Sequence, residues 1–176
     1  MTVAGIRHRN PEPDDRNVRY TSSVEERDSQ QHVVRVQRLP HADGLDLPTH
    51  QTPGSAGADV RSAANLTVAP GERAAIPTGL VFAIPLGWEI QVRPRSGLAW
   101  KHGLTVVNAP GTIDADFRGE VKVLVVNLGD QPVVVGRGDR VAQLVLSPVH
   151  RATYHEVEAV DATDRGVGGF GSTGVR

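Results

Sequence analysis

The sequence predicts an all-β, jelly-roll-like domain with one short helix, and three observations predict it. Short apolar runs follow one another at close intervals, each stopped by Gly, Pro, Asn or Asp, which is the punctuation of a sandwich or barrel. Residues with helical apolar spacing are confined to one short stretch, and there is neither a heptad nor an internal repeat, so α/β and bundle folds fit poorly. Finally, the 176 residues carry 19 Gly and 12 Pro, which suits many tight turns.

Residues 1–31 come first. They mix Arg7, Arg9, Arg16, Arg19 and Arg27 with Glu12, Asp14, Asp15, Glu25, Glu26 and Asp28 around a single aromatic, Tyr20. Such a segment buries too little to offset its ordering entropy, so it is expected to be a disordered extension. The texture changes at His32, where a β domain spanning 32–160 is expected to begin. Val33 to Leu39 reads as a first strand stopped by Pro40. After the turn-rich stretch from Asp43 to Gly54, Ser55 to Arg61 is a loop opening into a strand. Leu66–Ala69, Arg73–Ile76, Leu80–Ile84 and Trp88–Val92 are further short strands separated by Pro70-Gly71, Pro77 and Pro85-Leu86-Gly87. Gly97 to His102 is the one helical stretch, with Gly103 as its stop. Strands then follow at Leu104–Val107, Val121–Leu128, Val133–Val135, Arg140–Leu146 and Tyr154–Val160. The glycine-rich tail, 161–176, surrounds one aromatic, Phe170, and is expected to be a flexible arm.

Composition excludes some functions. A net charge of -1 argues against a dedicated nucleic-acid or membrane-surface binder, which usually shows a basic face or run. With no cysteine there is no disulfide framework, thiolate nucleophile or Cys-based zinc site, which fits a reducing cytosol. No secretory leader or membrane span is visible, so a soluble, cytoplasmic protein is expected. The seven histidines form no HExxH pair or tight cluster, so a metal would be oxygen-ligated and shared with a ligand.

The stretch Gly111 to Val121 organises the rest. It sets Asp114, Asp116, Phe117 and Arg118 between Gly111 and Gly119. Ile113, Ala115 and Phe117 share one parity and Asp114, Asp116 and Arg118 the other, as a strand or tight hairpin would arrange them, one face packing and the other meeting solvent or a ligand. A solvated hairpin rim is the plainer account. In the tail, Gly166 to Gly171 matches the dinucleotide glycine fingerprint in form, but only five residues remain after Gly171, too few for the helix that fingerprint needs. A strip of backbone amides with Arg165, Ser172 and Thr173 remains, suited to wrapping phosphates once ordered; a frayed terminus is the alternative. Arg93 to Gly97 lies between a strand and the helix, where amides and Arg95 offer positive potential, or where Ser96 is an ordinary N-cap. In Gly138 to Leu144, Gln143 stands amid apolar neighbours; Asp59 follows a glycine loop. Five separated segments, Ser55–Arg61, Arg93–Gly97, Asn108–Glu120, Gly138–Gln143 and Arg165–Thr173, thus offer groups for a charged, nucleotide-sized ligand.

In this order those segments strongly resemble the five motifs of the trimeric deoxyuridine triphosphatase (dUTP diphosphatase, dUTPase) family. The matching words are Ser55-Ala56-Gly57-Ala58-Asp59-Val60, Pro94-Arg95-Ser96-Gly97-Leu98-Ala99, Gly111 through Glu120, Gly138-Asp139-Arg140-Val141-Ala142-Gln143-Leu144, and Arg165 through Gly174. The resemblance covers about His32 to Gly174. It implies a jelly-roll (β-clip) subunit, a homotrimer with active sites built across subunits, and hydrolysis of dUTP to dUMP and pyrophosphate with Mg2+, with no direct contact to nucleic acid or membrane. Carried over position by position, Asp114 is implied as the general base that activates water. Asn108 lies on the hairpin that resembles the uracil pocket, and Phe117 falls where the family usually carries a tyrosine that packs on deoxyribose. Arg95, Ser96 and Gln143 match phosphate-contacting positions; Gly97, Thr112, Ile113 and Lys122 are implied as further substrate contacts. Asp59 matches the acidic position near metal-bound water. In the arm, Phe170 would cover the base while Arg165, Gly171, Ser172 and Thr173 close on the phosphates. Ala58 replaces a residue that is often larger.

Two rivals arise from the same residues. The related deoxycytidine triphosphate deaminases share the fold but use a glutamate in the strand after the third motif, where this chain has Leu124, ten residues beyond Asp114. A non-catalytic nucleotide-binding jelly roll would keep the fold and lose turnover; intact Asp114 and an intact tail argue against it.

Overall fold

The computed structural model describes residues 32–170, Ser172 and Gly174. The expected extension 1–31 lies outside the described residues, as do Gly171 and Thr173. The chain divides into Met1–Arg35, of which only 32–35 are described, and Val36–Arg176, which holds nearly all of the regular structure.

The described chain is all-β and jelly-roll-like, with a five-stranded sheet and three smaller ones. The large sheet runs β2 (Thr49–His50), β3 (Ala58–Arg61), β12 (Arg140–Pro148), β7 (Trp88–Arg93), β9 (Gly111–Ile113). A three-stranded sheet has β10 (Lys122–Asn127) between β5 (Arg73–Pro77) and β8 (Leu104–Val106). β1 (Arg35–Arg38) pairs with β6 (Leu80–Ala83), and β4 (Leu66–Val68) with β11 (Val133–Val135). These strands are Val-, Ile- and Leu-rich and alternate inside and out. In β10, Val123, Val125 and Asn127 point inward while Lys122 and Leu124 point out. Together with Ile76, Val60, Val68, Leu104 and Val121 they form the core, each fully buried Val, Ile or Leu contributing about 1.5–3 kcal/mol.

Asn127 shows how a polar group is tolerated there. Its Nδ2 donates to the carbonyls of Val68 at 2.9 Å and Gln131 at 2.8 Å, and its Oδ1 accepts from the Gly129 amide at 2.9 Å. The buried amide is satisfied, and it pins the end of β10 to the β11 side. Helix α1 (Ser96–His102) ends at Gly103, whose φ of 69° gives the left-handed cap anticipated from sequence.

Three expectations are corrected. Tyr154–Val160 forms no strand: residues 148–167 are exposed throughout, Tyr154 at 93%. Strand parity puts Glu156 and Glu158 on one face with Tyr154 and Val160, and His155 on the other with Val157, so neither face is apolar enough to pack. The Asn108 turn is not a hairpin either, because β8 pairs with β10 while β9 pairs with β7, so the connection crosses between sheets. And the alternation after Gly111 persists only to Ala115. Strand β9 stops at Ile113 and a turn follows, closed by the Phe117 amide on the Asp114 carbonyl at 3.2 Å and by Arg118 Nη1 on the carbonyls of Ala115 at 2.7 Å and Phe117 at 2.8 Å. Phe117 is thereby left 43% exposed, lining an open hollow with Ile113 instead of packing into the core.

Candidate functional site

The site starts from one row across the large sheet. Gln143 on β12 is paired with Asp59 on β3 on one side and Arg93 on β7 on the other, and paired residues share a face. One residue back along β7, Val92 is paired with Gly111 of β9. That one-residue step turns to the other face of the sheet, the face on which Val92, Gly111 and Ile113 lie. The opposite face is apolar, with Val60, Ala142, Leu144 and Val92 buried in the core, and that packing fixes which side chains project outward.

At the β3 end sits a charged cluster. The Asp59 side chain is only 3% exposed; Arg140 Nη1 lies 3.0 Å from its Oδ2 and Arg95 Nε 3.4 Å from its Oδ1. Gln143 Nε2 donates to Oδ1 at 3.4 Å, and Arg140 Nη1 also donates to Gln51 Oε1 at 2.8 Å. Arg95 Nη1 donates to the Arg140 carbonyl at 3.0 Å. Two guanidinium groups against one carboxylate leave an excess positive charge, and the pairing fixes Arg95 before any ligand arrives. The arrangement is an anion site with prearranged donors. Ser96 and Gly97 follow Arg95 directly, both exposed, Ser96 as the first helical residue and without a side-chain capping bond.

At the β9 end a hollow of about 280 Å³ is lined by Val92, Asn108, Gly111, Thr112, Ile113, Phe117, Glu120, Val121, Lys122 and Leu124. Apolar walls with a few amide, hydroxyl and ammonium groups suit a flat polar ring and its sugar. Asn108 and Phe117, anticipated at the base and the sugar, come together here with Thr112, Ile113 and Lys122, three of the further substrate contacts the resemblance implies.

Asp114 does not line that hollow. It is exposed and borders a neighbouring one of about 260 Å³ with Trp88, Glu89, Ala115, Asp116 and Arg151. Arg165, Phe170 and Ser172 lie in the exposed tail, where Arg165 Nε donates to the Gly168 carbonyl at 2.9 Å; Gly171 and Thr173 are outside the described residues. In a single chain the anion cluster, the ring-sized hollow and the hollow beside Asp114 share no lining residue, and the tail lies apart in exposed chain.

Two groups are not evident as site residues from the sequence. Arg140 belongs to the fourth matching segment, yet in a regular strand it would face away from Gln143; a bulge between Arg140 and Ala142 brings both to Asp59. Glu120 is the other. Its Oε1 accepts from His41 Nε2 at 2.8 Å and from the Gly79 amide at 2.7 Å. Burial pushes this carboxyl up, but the bonds from His41 and Gly79 and the charges of His41 and Lys122 outweigh it, leaving it below its ordinary 4.5. A carboxylate with a depressed folded pKa contributes stability above its unfolded value, lost as pH falls through the folded one. The melting temperature of wild type is therefore expected to exceed that of Glu120→Gln at neutral pH, with the gap shrinking as pH drops below 4.5; a gap that stays constant would count against this pairing.

Comparisons with known proteins agree with one another. A family model for dUTPase matches residues 43–174. Deoxyuridine 5'-triphosphate nucleotidohydrolase from Rhizobium etli is 58% identical over 142 residues, covering 78% of this chain and 91% of that protein. The enzyme of the same name from Rhizobium meliloti is 56% identical over 143 residues, covering 79% and 89%. Among solved structures, Staphylococcus bacteriophage 80alpha dUTPase with dUPNHPP superposes with a TM-score of 0.74 at 26% identity, over 82% of this chain and 100% of that one.

Proposed function

Since the chain belongs to the dUTPase family, whose model matches residues 43–174, we infer that it hydrolyses dUTP to dUMP and pyrophosphate by attack of water on the α-phosphorus. One observation carries the reading: Arg95, Asp59, Arg140 and Gln143 are prearranged as an anion site, while Asn108, Thr112, Ile113, Phe117 and Lys122 line one ring-sized hollow. The base and deoxyribose occupy the hollow, with Phe117 against the sugar. Its ring rejects a 2'-hydroxyl by packing alone, since phenylalanine has no hydroxyl of its own. Arg95, Ser96, Gly97 and Gln143 hold phosphate oxygens. In the chemical step the water oxygen bonds to the α-phosphorus and Asp114 takes its proton. The bond to the bridging oxygen breaks, and pyrophosphate leaves with the electron pair.

Mg2+ is implied by the family, and the donor set can be tested against it. Among the described residues no three His, Cys, Asp or Glu side chains are grouped to hold a metal. Asp59 already receives Arg95, Arg140 and Gln143, which leaves about one lone-pair site. A cation carried by the phosphates and reaching Asp59 through water fits that set, as Mg2+ keeps several of its waters. When bound, it neutralises phosphate charge that the arginines alone leave uncompensated.

The separation of Asp114 and the tail from the rest supports a homotrimer in which a neighbouring subunit supplies what one chain lacks. The exposed Leu128 and Val134 offer apolar surface for it. In the arm, Phe170 covers the base while Arg165, Gly171, Ser172 and Thr173 close on the phosphates. We read the protein as cytoplasmic, limiting uracil incorporation into DNA and supplying dUMP for dTMP synthesis; among the described residues no helix is long and apolar enough to cross a membrane. Deamination of dCTP is disfavoured because Leu124, at the deaminase glutamate position, presents only hydrocarbon to the hollow. Pyrophosphate release from dUTP, dTTP, dCTP and UTP with Mg2+ tests the activity. A preference for dUTP over UTP of about 10–200 is expected, since packing acts alone. No preference for dUTP would sink the reading.

A further inference from the structure

Phe117 has no polar handle to fix its ring, so the ring is held by what it packs against. The ring rests on Gly119: a Cβ there would lie 2.6 Å from Phe117 Cζ. The next residue is Glu120, whose carboxylate is 17% exposed and is held by His41 and the Gly79 amide. The residue after it is tied to the same place, the Val121 amide donating to the Leu80 carbonyl at 2.9 Å and Thr78 Oγ1 donating to the Val121 carbonyl at 2.6 Å.

The anchor on the far side is stiff. Gly79 has a φ of 65°, and a Cβ on it would sit 2.3 Å from the Cβ of Ala42, itself fully buried; only glycine fits a turn so closely packed. The Gly79 carbonyl accepts from the Leu39 amide at 2.8 Å. The turn carrying His41 is braced in its turn by Arg137 Nη2, which donates to the His41 carbonyl at 3.3 Å and to the Asp43 carbonyl at 2.6 Å.

We propose that Glu120, braced by His41, is a positioning residue for sugar selection: by fixing the Gly119 backbone it sets how far the Phe117 ring projects into the nucleoside hollow. The inference rests on the functional reading above. Its physical content is that selectivity by packing depends on where the ring stands against the sugar, whereas the proton transfer to Asp114 does not use the Glu120 carboxylate.

The test is steady-state kinetics of wild type, Glu120→Ala, Glu120→Gln and His41→Ala with dUTP and with UTP, alongside melting temperatures. In folded Glu120→Ala, KM for dUTP should rise about tenfold and the dUTP/UTP preference fall about tenfold, with kcat for dUTP within about twofold. Glu120→Gln, whose amide oxygen still accepts from Gly79 and His41, should recover most of both. His41→Ala, at a half-exposed position, should lose about threefold in preference and serves as the deciding variant if Glu120→Ala does not fold. A dUTP-preferring wild type whose folded variants keep its KM and preference overturns this inference alone. A wild type that does not prefer dUTP overturns the functional reading and this inference together.

Discussion

The Asp114→Asn variant should bind dUTP with close to wild-type affinity and turn it over about 10²–10⁴-fold more slowly. Asparagine keeps the size of the side chain and loses the lone pair that accepts the proton. The backbone of the turn is indifferent to the change, because the bond that closes it runs from the Phe117 amide to the Asp114 carbonyl oxygen and not to the carboxylate. The side chain is exposed and makes no core contact, so folding should not suffer. Calorimetric titration with a non-hydrolysable dUTP analogue separates binding from turnover. The expected signature is an unchanged Kd with a collapsed kcat, the pattern of an interaction made only on the way to the transition state. Wild-type turnover in this variant would remove Asp114 from the base role and leave a purely structural account of the turn. Asp116 provides the contrast: it lies on the other side of the turn residue Ala115, and its conversion to asparagine carries no such expectation.

Much of this arrangement is legible in the sequence, and what is not has identifiable causes. Local signals read correctly where they are strong. The helix over Ser96–His102 follows from its helix formers and Gly103, and the short strands from their turns. The five residues around the ring-sized hollow come from the family resemblance and meet in space. Parity arguments fail wherever the backbone departs from a regular strand. Parity places Phe117 with Ile113, and both line one hollow, but the turn after β9 breaks the period and leaves the ring 43% exposed instead of in the core. Arg140 shows the reverse error: the bulge before Ala142 restores it to the face of Asp59 and Gln143, opposite Arg61. Long-range pairing is beyond reach for a different reason. Glu120 and His41 are far apart in the chain, and no local preference couples a carboxylate after a glycine turn to a histidine in a 3-10 turn. Tyr154–Val160 shows the limit of reading apolar residues singly, since three of them spaced by three cannot share one face of a strand.

The same exposed C-terminal stretch underlies the second large effect. A chain ending at Asp164, lacking 165–176, should lose at least about a hundredfold in kcat/KM while keeping the melting temperature of the full-length protein within a few degrees. The two halves of that expectation rest on separate observations. The last strand among the described residues ends at Pro148, and residues 148–167 are exposed, so the described residues that are removed include no buried apolar side chain whose loss would cost the core its roughly 1.5–3 kcal/mol. Activity is another matter, because the anion cluster and the hollow are both open to solvent in a single chain, and neither contains a group able to cover the base or the terminal phosphates. Arg165, Phe170, Ser172 and Thr173 are the remaining residues of suitable chemistry, and the glycines between them allow the chain to fold closely over a ligand. Closure would exclude water and align the phosphates, so its loss should lower kcat and raise KM together instead of changing one alone. A point variant isolates the aromatic part: Phe170→Ala should raise KM for dUTP more than it lowers kcat, since it removes a cover from the base and leaves the phosphate donors in place. Kinetics and thermal melting of the two variants, measured in parallel, check both expectations. Full activity in the truncated enzyme would remove the arm from the site, and a large drop in its melting temperature would show that the tail stabilises the fold after all.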